Sequence, residues 1–320
     1  MYNQLKDRIT ADNKLMTPKL EGNLAMTFSK VCSGLNENAL RFLLPLWMSA
    51  TSGVALRLCF GAAAFWLVGL FTRKSATKVS WKQRGILFGL GAIVIYGYMF
   101  ALLKGLSYTT PISSAMFISL EPVMVFVICL LMGTEKATRM KSLGIALGFA
   151  GAMVCIFTQK HSDIASDPML GDLFCAASMV LYSLYLIFSA KLLKGIDMVT
   201  VSKWSFLGGA VSAVIVTMFT GWDAPVLHQS IFSLPMLALL FVLIFPSTIS
   251  YFLVDVGLKR LSTTVVALYG YVILVVAMVV SYITGQDRFD WWQMLAVIMI
   301  VASVYFTELA EARTTPAPTK

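Results

Sequence analysis

Glu121 stands in the middle of a long apolar run, GLSYTTPISSAMFISLEPVMVFVICLLMG, and is followed at once by Pro122. A charge at the centre of a membrane-crossing helix costs about 2.5 to 3.5 kcal/mol on insertion scales, so such a residue has to face a cavity or a partner. Pro122 has no backbone N–H, which frees the carbonyl of Ile118 and bends a helix. Ser114, seven residues before Glu121, falls on the same helical face. A carboxyl, a free carbonyl and a hydroxyl along one stripe make a site for an ammonium group or a proton. The alternative is a protonated Glu121 that only ties two helices together.

A second group lies earlier in the chain. Lys30, Glu37 and Arg41 are spaced seven and four apart, which puts them on one helical face with Asn38 beside them. Either this face walls an aqueous pathway with Glu37 as a second cation site, or Lys30 and Arg41 reach opposite interfaces while Glu37 pairs with Arg41. Arg57, in GVALRLCF, keeps its charge everywhere and so needs a partner, a substrate carboxylate or Glu37. Tyr98, Tyr182, Tyr185, Tyr251, Tyr269 and Tyr271 suit an amphipathic or aromatic solute if their rings line a cavity, and plain helix packing if they do not. Pro246 predicts a bend. Gly144, Gly148 and Gly151, and likewise Gly85 and Gly89, read as small-residue ridges for close helix contact.

The elements that must carry these residues follow from composition. Of 320 residues, 58% are hydrophobic and 13% charged, against about 25% charged in soluble domains, which makes this an all-α integral membrane protein. Apolar runs predict ten spans: 23 to 46, 49 to 72, 84 to 103, 109 to 132, 142 to 158, 169 to 190, 198 to 220, 233 to 256, 262 to 284 and 291 to 310. Residues 1–22 read as a cytoplasmic tail without the pattern of a secretory signal, and 311–320 as a second one. Lys and Arg concentrate in the segments on the same side as both tails, 18 against 4 on the other side, which places both termini in the cytoplasm. Trp47, Trp222, Trp291 and Trp292 at outer span ends and Trp81 at an inner one suit interfacial anchoring. The net charge of +9 is accounted for by this bias, and no nucleic-acid partner is expected.

Excluded functions follow as well. No GxxxxGK[ST], HExxH or GxSxG is present. Five cysteines lie at irregular spacing inside apolar runs, and His161 and His228 fall in loops, so no metal, cofactor or disulfide frame is expected. An intramembrane enzyme would need a convergent acid, base and nucleophile, and none is visible.

The chain also repeats itself. GLSYTTPISSAMF from Gly105 lies over GLKRLSTTVVALY from Gly257 at a constant offset of 152, pairing Gly133 with Gly285 and Glu135 with Asp287. Five spans separate the copies, an odd number that inverts the second, and the basic residues change side accordingly. With GLSYTTPISSAMFISLEPVMV, GTEKAT, GIALGFAGAMV, Arg57 and GLKRLSTTVVALYGYV in this order, the chain resembles the EamA type of the drug/metabolite transporter superfamily over nearly everything after residue 22. The resemblance implies ten helices as two inverted five-helix repeats, 23–158 and 169–310. It also implies export of small organic metabolites such as amino acids across the cytoplasmic inner membrane by alternating access, with a proton, ion or solute gradient as drive. A homodimer through spans five and ten is a further option. Two departures stand out: Ile273 and Leu274 occupy the place of a second Glu-Pro, and Ser33-Gly34 that of a Trp-Gly. A carrier of nucleotide or phosphorylated sugars and a non-transporting scaffold remain as alternatives.

Overall fold

The computed structural model describes residues 18–71, 79–133, 138–158, 165–192, 196–260 and 269–314. Every regular element among them is helical. α1 is Pro18–Leu43, α2 Ala50–Phe71 and α3 Trp81–Leu106 with a π-helical turn at Gly91–Ile95. α4 is broken into α4a, Pro111–Ser119, and α4b, Glu121–Leu131, which meet at 41°. α5 is Arg139–Thr158, α6 Pro168–Leu192 and α7 Met198–Thr220. α8 runs through Leu234–Ile244, a π turn Phe245–Ile249 and Ser250–Arg260. α9 is Gly270–Thr284 and α10 Trp291–Thr314. α1 thus begins within the expected N-terminal tail, with Pro18 in its first turn, where a missing N–H costs nothing.

By length and composition four of these helices are fit to cross a membrane, α2, α3, α6 and α7, and α4 is a fifth if its halves count as one span. That is fewer than the ten expected. α1 carries Lys30, Glu37 and Arg41, and the apolar stretches Leu234–Ile249, Val272–Thr284 and Trp291–Thr307 of α8, α9 and α10 are shorter than a full crossing.

Packing is organised in two apolar clusters. One joins the end of α1 with α2, α3, α7 and α8 around Leu58, Phe65, Leu103 and Phe206. The other joins α4, α5, α6, α9 and α10 around Phe117, Leu274 and Ile300. Lipid tails are as apolar as these side chains, so close fit rather than water exclusion has to hold such helices together. The fit is closest where glycine faces backbone. A Cβ at Gly91 would fall on the carbonyl of Ser205, and one at Gly208 on the carbonyl of Phe88. Backbone cannot step aside as a side-chain tip can, so Gly208→Ala is expected to force α3 and α7 apart and to cost about 3 kcal/mol. Thermal unfolding in detergent checks this against Gly221→Ala, where the strain is in φ and the Cβ meets nothing within 4 Å.

Small-residue spacing alone does not show where the contact lies. Gly144, Gly148 and Gly151 do pack, against Ser303, Thr307 and Ile300 of α10, and the Ser303 hydroxyl donates to the Gly144 carbonyl at 2.6 Å. This glycine face is therefore filled within the chain, and any contact between copies falls to other faces. Gly85 and Gly89 do the opposite of what their spacing predicts: a Cβ there would meet nothing within 4 Å.

The same contacts occur twice. Tyr98 and Ser250 are 152 residues apart; the Tyr98 carbonyl accepts from Ser178 of α6, and Ser250 exchanges hydrogen bonds with Ser29 of α1. Gly105 presses on Cys175 and Gly171 of α6, and Gly257, again 152 further on, presses on Met26 of α1. The π turns of α3 and α8, Gly91–Ile95 and Phe245–Ile249, fall within two residues of matching places. In each half, then, a π-turn helix crosses the first helix of the other half.

Candidate functional site

α1 threads between the two apolar clusters and carries polar residues into the seam. Gly34 makes this approach possible, because a Cβ there would lie 2.7 Å from Val276 Cβ and 2.8 Å from the Ile273 carbonyl. One turn on, Asn38 Nδ2 donates to the carbonyl of Ala277 on α9 at 3.1 Å and to that of Gly34 at 3.4 Å.

Glu37 is at the centre, 2% exposed. Its Oε2 accepts from Ser114 Oγ at 2.6 Å and its Oε1 from Asn36 Nδ2 at 3.1 Å. The cation that acts on it is Arg57 of α2, itself buried. Arg57 Nε donates to Ser247 Oγ at 3.3 Å, and that hydroxyl donates to the Val242 carbonyl at 2.9 Å. Val242 is the residue whose carbonyl Pro246, lacking an N–H, leaves without its helical partner. Pro246 therefore makes a π turn rather than a simple bend, and the turn offers Arg57 a hydroxyl. At this seam the buried Arg57 Nη1, Asn36 Oδ1 and Asn38 Oδ1 have no hydrogen-bond partner among the described residues.

The structure regroups the residues singled out by spacing. Ser114 does not share a stripe with Glu121, because α4 breaks at Leu120 and the 41° turn separates them; Ser114 goes to Glu37. Pro122 sits in the first turn of α4b, where its missing N–H is harmless, and Glu121 opens that helix, where a carboxyl meets the positive end of the dipole. The cation that acts on Glu121 is Lys30. Lys30 and Glu37, seven apart on one face, thus serve different partners. Arg41 Nη1 donates to the Leu44 carbonyl at 3.2 Å. Tyr98 and Tyr182 lie with ring centroids 4.9 Å apart, and Tyr185 stacks on Tyr182 at 6.1 Å, a ladder between α3 and α6. Tyr269 is half-buried just before α9. The side chains of Tyr251 and Tyr271, and the whole of His161, lie outside the described residues.

A second polar cluster went unseen in the sequence. Asp172, fully buried near the start of α6, accepts from Thr109 Oγ1 at 2.6 Å and from Cys155 Sγ at 3.7 Å, and Cys155 meets Ser113 Oγ at 3.4 Å. Next to it Gly285, with φ of 69°, ends α9 in a turn where Gln286 N–H returns to the Ser281 carbonyl at 2.9 Å. That turn delivers Asp287, which accepts from Gln293 Nε2 at 3.0 Å and from the Arg288 N–H at 2.9 Å. Burial pushes the Asp287 carboxyl above its ordinary range, opposed by hydrogen bonds that include Thr110. The signal for Asp172 was present: an acid inside a predicted span, as with Glu121. Among the described residues no group of three His, Cys, Asp or Glu could hold a metal ion.

Comparison with known proteins agrees with this architecture. The EamA-like transporter family is matched twice, by residues 20–157 and 169–309. An uncharacterized transporter, YyaM of Bacillus subtilis (strain 168), is 24% identical over 259 residues, covering 81% of this chain and 84% of its own. An uncharacterized transporter of Archaeoglobus fulgidus is 24% identical over 246 residues, 77% of this chain and 81% of its own. A crystal structure titled only as that of a protein superposes with a TM-score of 0.60 over 93% of this chain and 99% of that one, at 19% identity, a likeness of fold alone. Two copies of the family domain fill the chain, which belongs to the EamA-like transporter family.

Proposed function

We propose that the chain is a secondary transporter that exports a small organic solute across the cytoplasmic membrane by alternating access, with amino acids and related amphipathic compounds as the leading class. The observation that carries this reading is Glu37: a buried ionisable group at the seam of two repeats, held by Ser114 and Asn36 with Arg57 as its cation. The partnerless Arg57 Nη1, Asn36 Oδ1 and Asn38 Oδ1 give that seam one donor and two acceptors for a solute. Glu121, with Lys30, is the coupling group.

Ten spans in two inverted repeats, with both termini cytoplasmic, put the doubled contacts at opposite ends of the path. The Glu21–Arg260 ion pair joins α1 to α8 at the cytoplasmic end. Thr109 and Asp172 join the α3–α4 connection to α6 at the outer end. These are the matching closures of the two halves, and transport opens them in turn.

Nucleotide and phosphorylated sugars fit less well, because Lys30 and Arg57 each lie near enough to a carboxylate for its charge to act on them, and Lys203 lies elsewhere, over Trp66. No catalysis is proposed. The test is untargeted metabolite analysis of medium from cells expressing the wild type, Glu121→Gln at equal membrane level, or no transporter. Wild type is expected to enrich an amphipathic solute outside the cell and Glu121→Gln to fall to the empty-vector level. No enrichment under several nutrient loads would overturn export.

A further inference from the structure

At the other end of α2 from the Glu37 site, three helices bring two cations and three indoles together. Trp66 of α2 and Trp204 of α7 meet edge to face, with centroids 5.6 Å apart at 70°. Lys203 Nζ stands 4.6 Å over the Trp66 ring. Arg84 of α3 stands 4.6 Å over Trp81 and 5.5 Å from the centroid of Trp204. Both cations thus sit against one indole pair. Neither has a carboxylate partner among the described residues, and Arg84 Nε is buried without a hydrogen-bond acceptor. The acid close by in sequence, Asp197, caps α7, accepting from the Thr200 N–H at 2.9 Å and from Thr200 Oγ1 at 2.7 Å.

Two cations held apart from acids lack an anion. Cation–π contact holds each charge without neutralising it. The surroundings indicate which anion. Trp81 is 80% exposed and Trp66 38%, the indole exposure typical of the membrane–water boundary. Beside Arg84 on α3, Gly85 and Gly89 leave open space where side chains would stand, so the cluster is reached from the side, along the helix. Arg73, Lys74 and Lys78 in the segment joining α2 to α3, with Lys82, add charge of the same sign in the sequence around it.

We propose that Arg84 and Lys203, framed by Trp66, Trp81 and Trp204, form a binding site for the phosphate of an anionic phospholipid in the cytoplasmic leaflet. The phosphodiester bridges the guanidinium and the ammonium, and an acyl chain lies along the glycine side of α3. Basic pockets between helices at this depth suit such headgroups. Occupancy would tie α2, α3 and α7 together at the end where the basic residues concentrate. The inference is independent of which solute the transporter carries and of whether Glu37 takes part.

The test uses the full chain in detergent, with tryptophan fluorescence quenched by brominated phosphatidylglycerol or brominated phosphatidylcholine. Wild type is expected to bind the anionic lipid about thirtyfold more tightly than the zwitterionic one, the size set by two cations close to a headgroup. Arg84→Gln with Lys203→Gln is expected to erase that preference, and Arg84→Lys with Lys203→Arg to keep most of it, which separates lost charge from lost folding. Equal quenching of wild type by both lipids would overturn the proposal, as would a preference that survives the double Gln variant. Relief of quenching by millimolar inorganic phosphate would also overturn it, by assigning the site to a soluble anion.

Discussion

Glu37→Gln is expected to lower transport at least about tenfold while the protein still reaches the membrane. The amide keeps one oxygen for Ser114 but removes the charge opposite Arg57. Glu37→Leu also leaves Ser114 Oγ and Asn36 Nδ2 without their acceptor, each loss worth about 1 to 3 kcal/mol, and takes the nearby negative charge from Arg57, so it is also expected to lower the unfolding temperature clearly. Removing both charges separates the two effects. Apolar residues in place of a buried pair are often neutral or stabilising, so Glu37→Leu combined with Arg57→Met is expected to regain most of the lost stability and none of the transport. Counterflow of the exported solute in proteoliposomes, beside thermal unfolding in the same lipid, measures both. Normal counterflow by Glu37→Gln would reduce the pair to a helix lock and move the search to Glu121 and Lys30.

Glu37, rather than Glu121, stands at the centre of the seam, and that difference marks what one sequence can and cannot carry. Hydropathy located α2 and α7 to within a residue or two, because a long apolar run has one way to be buried. It also located the ionisable residues that had to find partners. It did not assign the partners. Ser114 and Glu121 share a stripe only if the helix between them is continuous, and Leu120–Pro122 is where it is not. Lys30 and Glu37 share a face of α1, yet Glu37 bonds Ser114 on α4a while Lys30 acts on Glu121, beyond the break. Ser247 was out of reach altogether: its place beside Arg57 depends on a π turn around Pro246, and no spacing rule for regular helices contains one. The glycines teach the same lesson. Gly85 and Gly89 have ridge spacing and face open space, while Gly91 and Gly208 have no partner at four residues' spacing and touch backbone.

The doubled contacts are not accompanied by doubled charges at the seam. The second-half positions matching Glu121 and Pro122 are Ile273 and Leu274, both apolar and in the core beneath α1. Around Glu37 the second repeat brings the Ala277 carbonyl, which accepts from Asn38, and the Ser247 hydroxyl, which accepts from Arg57, while Lys30, Glu37, Arg57 and Glu121 all come from the first repeat.

Its two ends should then respond oppositely to loss of their closures, with unequal size. Thr109 and Asp172 are fully buried, and leaving a buried acceptor or donor without its partner costs about 1 to 3 kcal/mol. Glu21 and Arg260 are half-exposed, and such a pair is worth at most about 1 kcal/mol. Cys155, 1% exposed and in contact with Asp172, is placed to report opening at the end that the proposed topology makes the outer one. With the other four cysteines replaced, labelling of Cys155 by an impermeant maleimide from outside is expected to rise about tenfold in Asp172→Ala, as the lost hydrogen bonds no longer hold the outer end shut. In Glu21→Gln it is expected to fall at most about threefold, because the loosened cytoplasmic end draws the population toward the inward-open state. Exchange of the pair, Glu21→Arg with Arg260→Glu, restores the charge contact and is expected to restore labelling. A shift in the same direction in both single variants would mean that the two contacts do not oppose each other, and alternating access through them would fail.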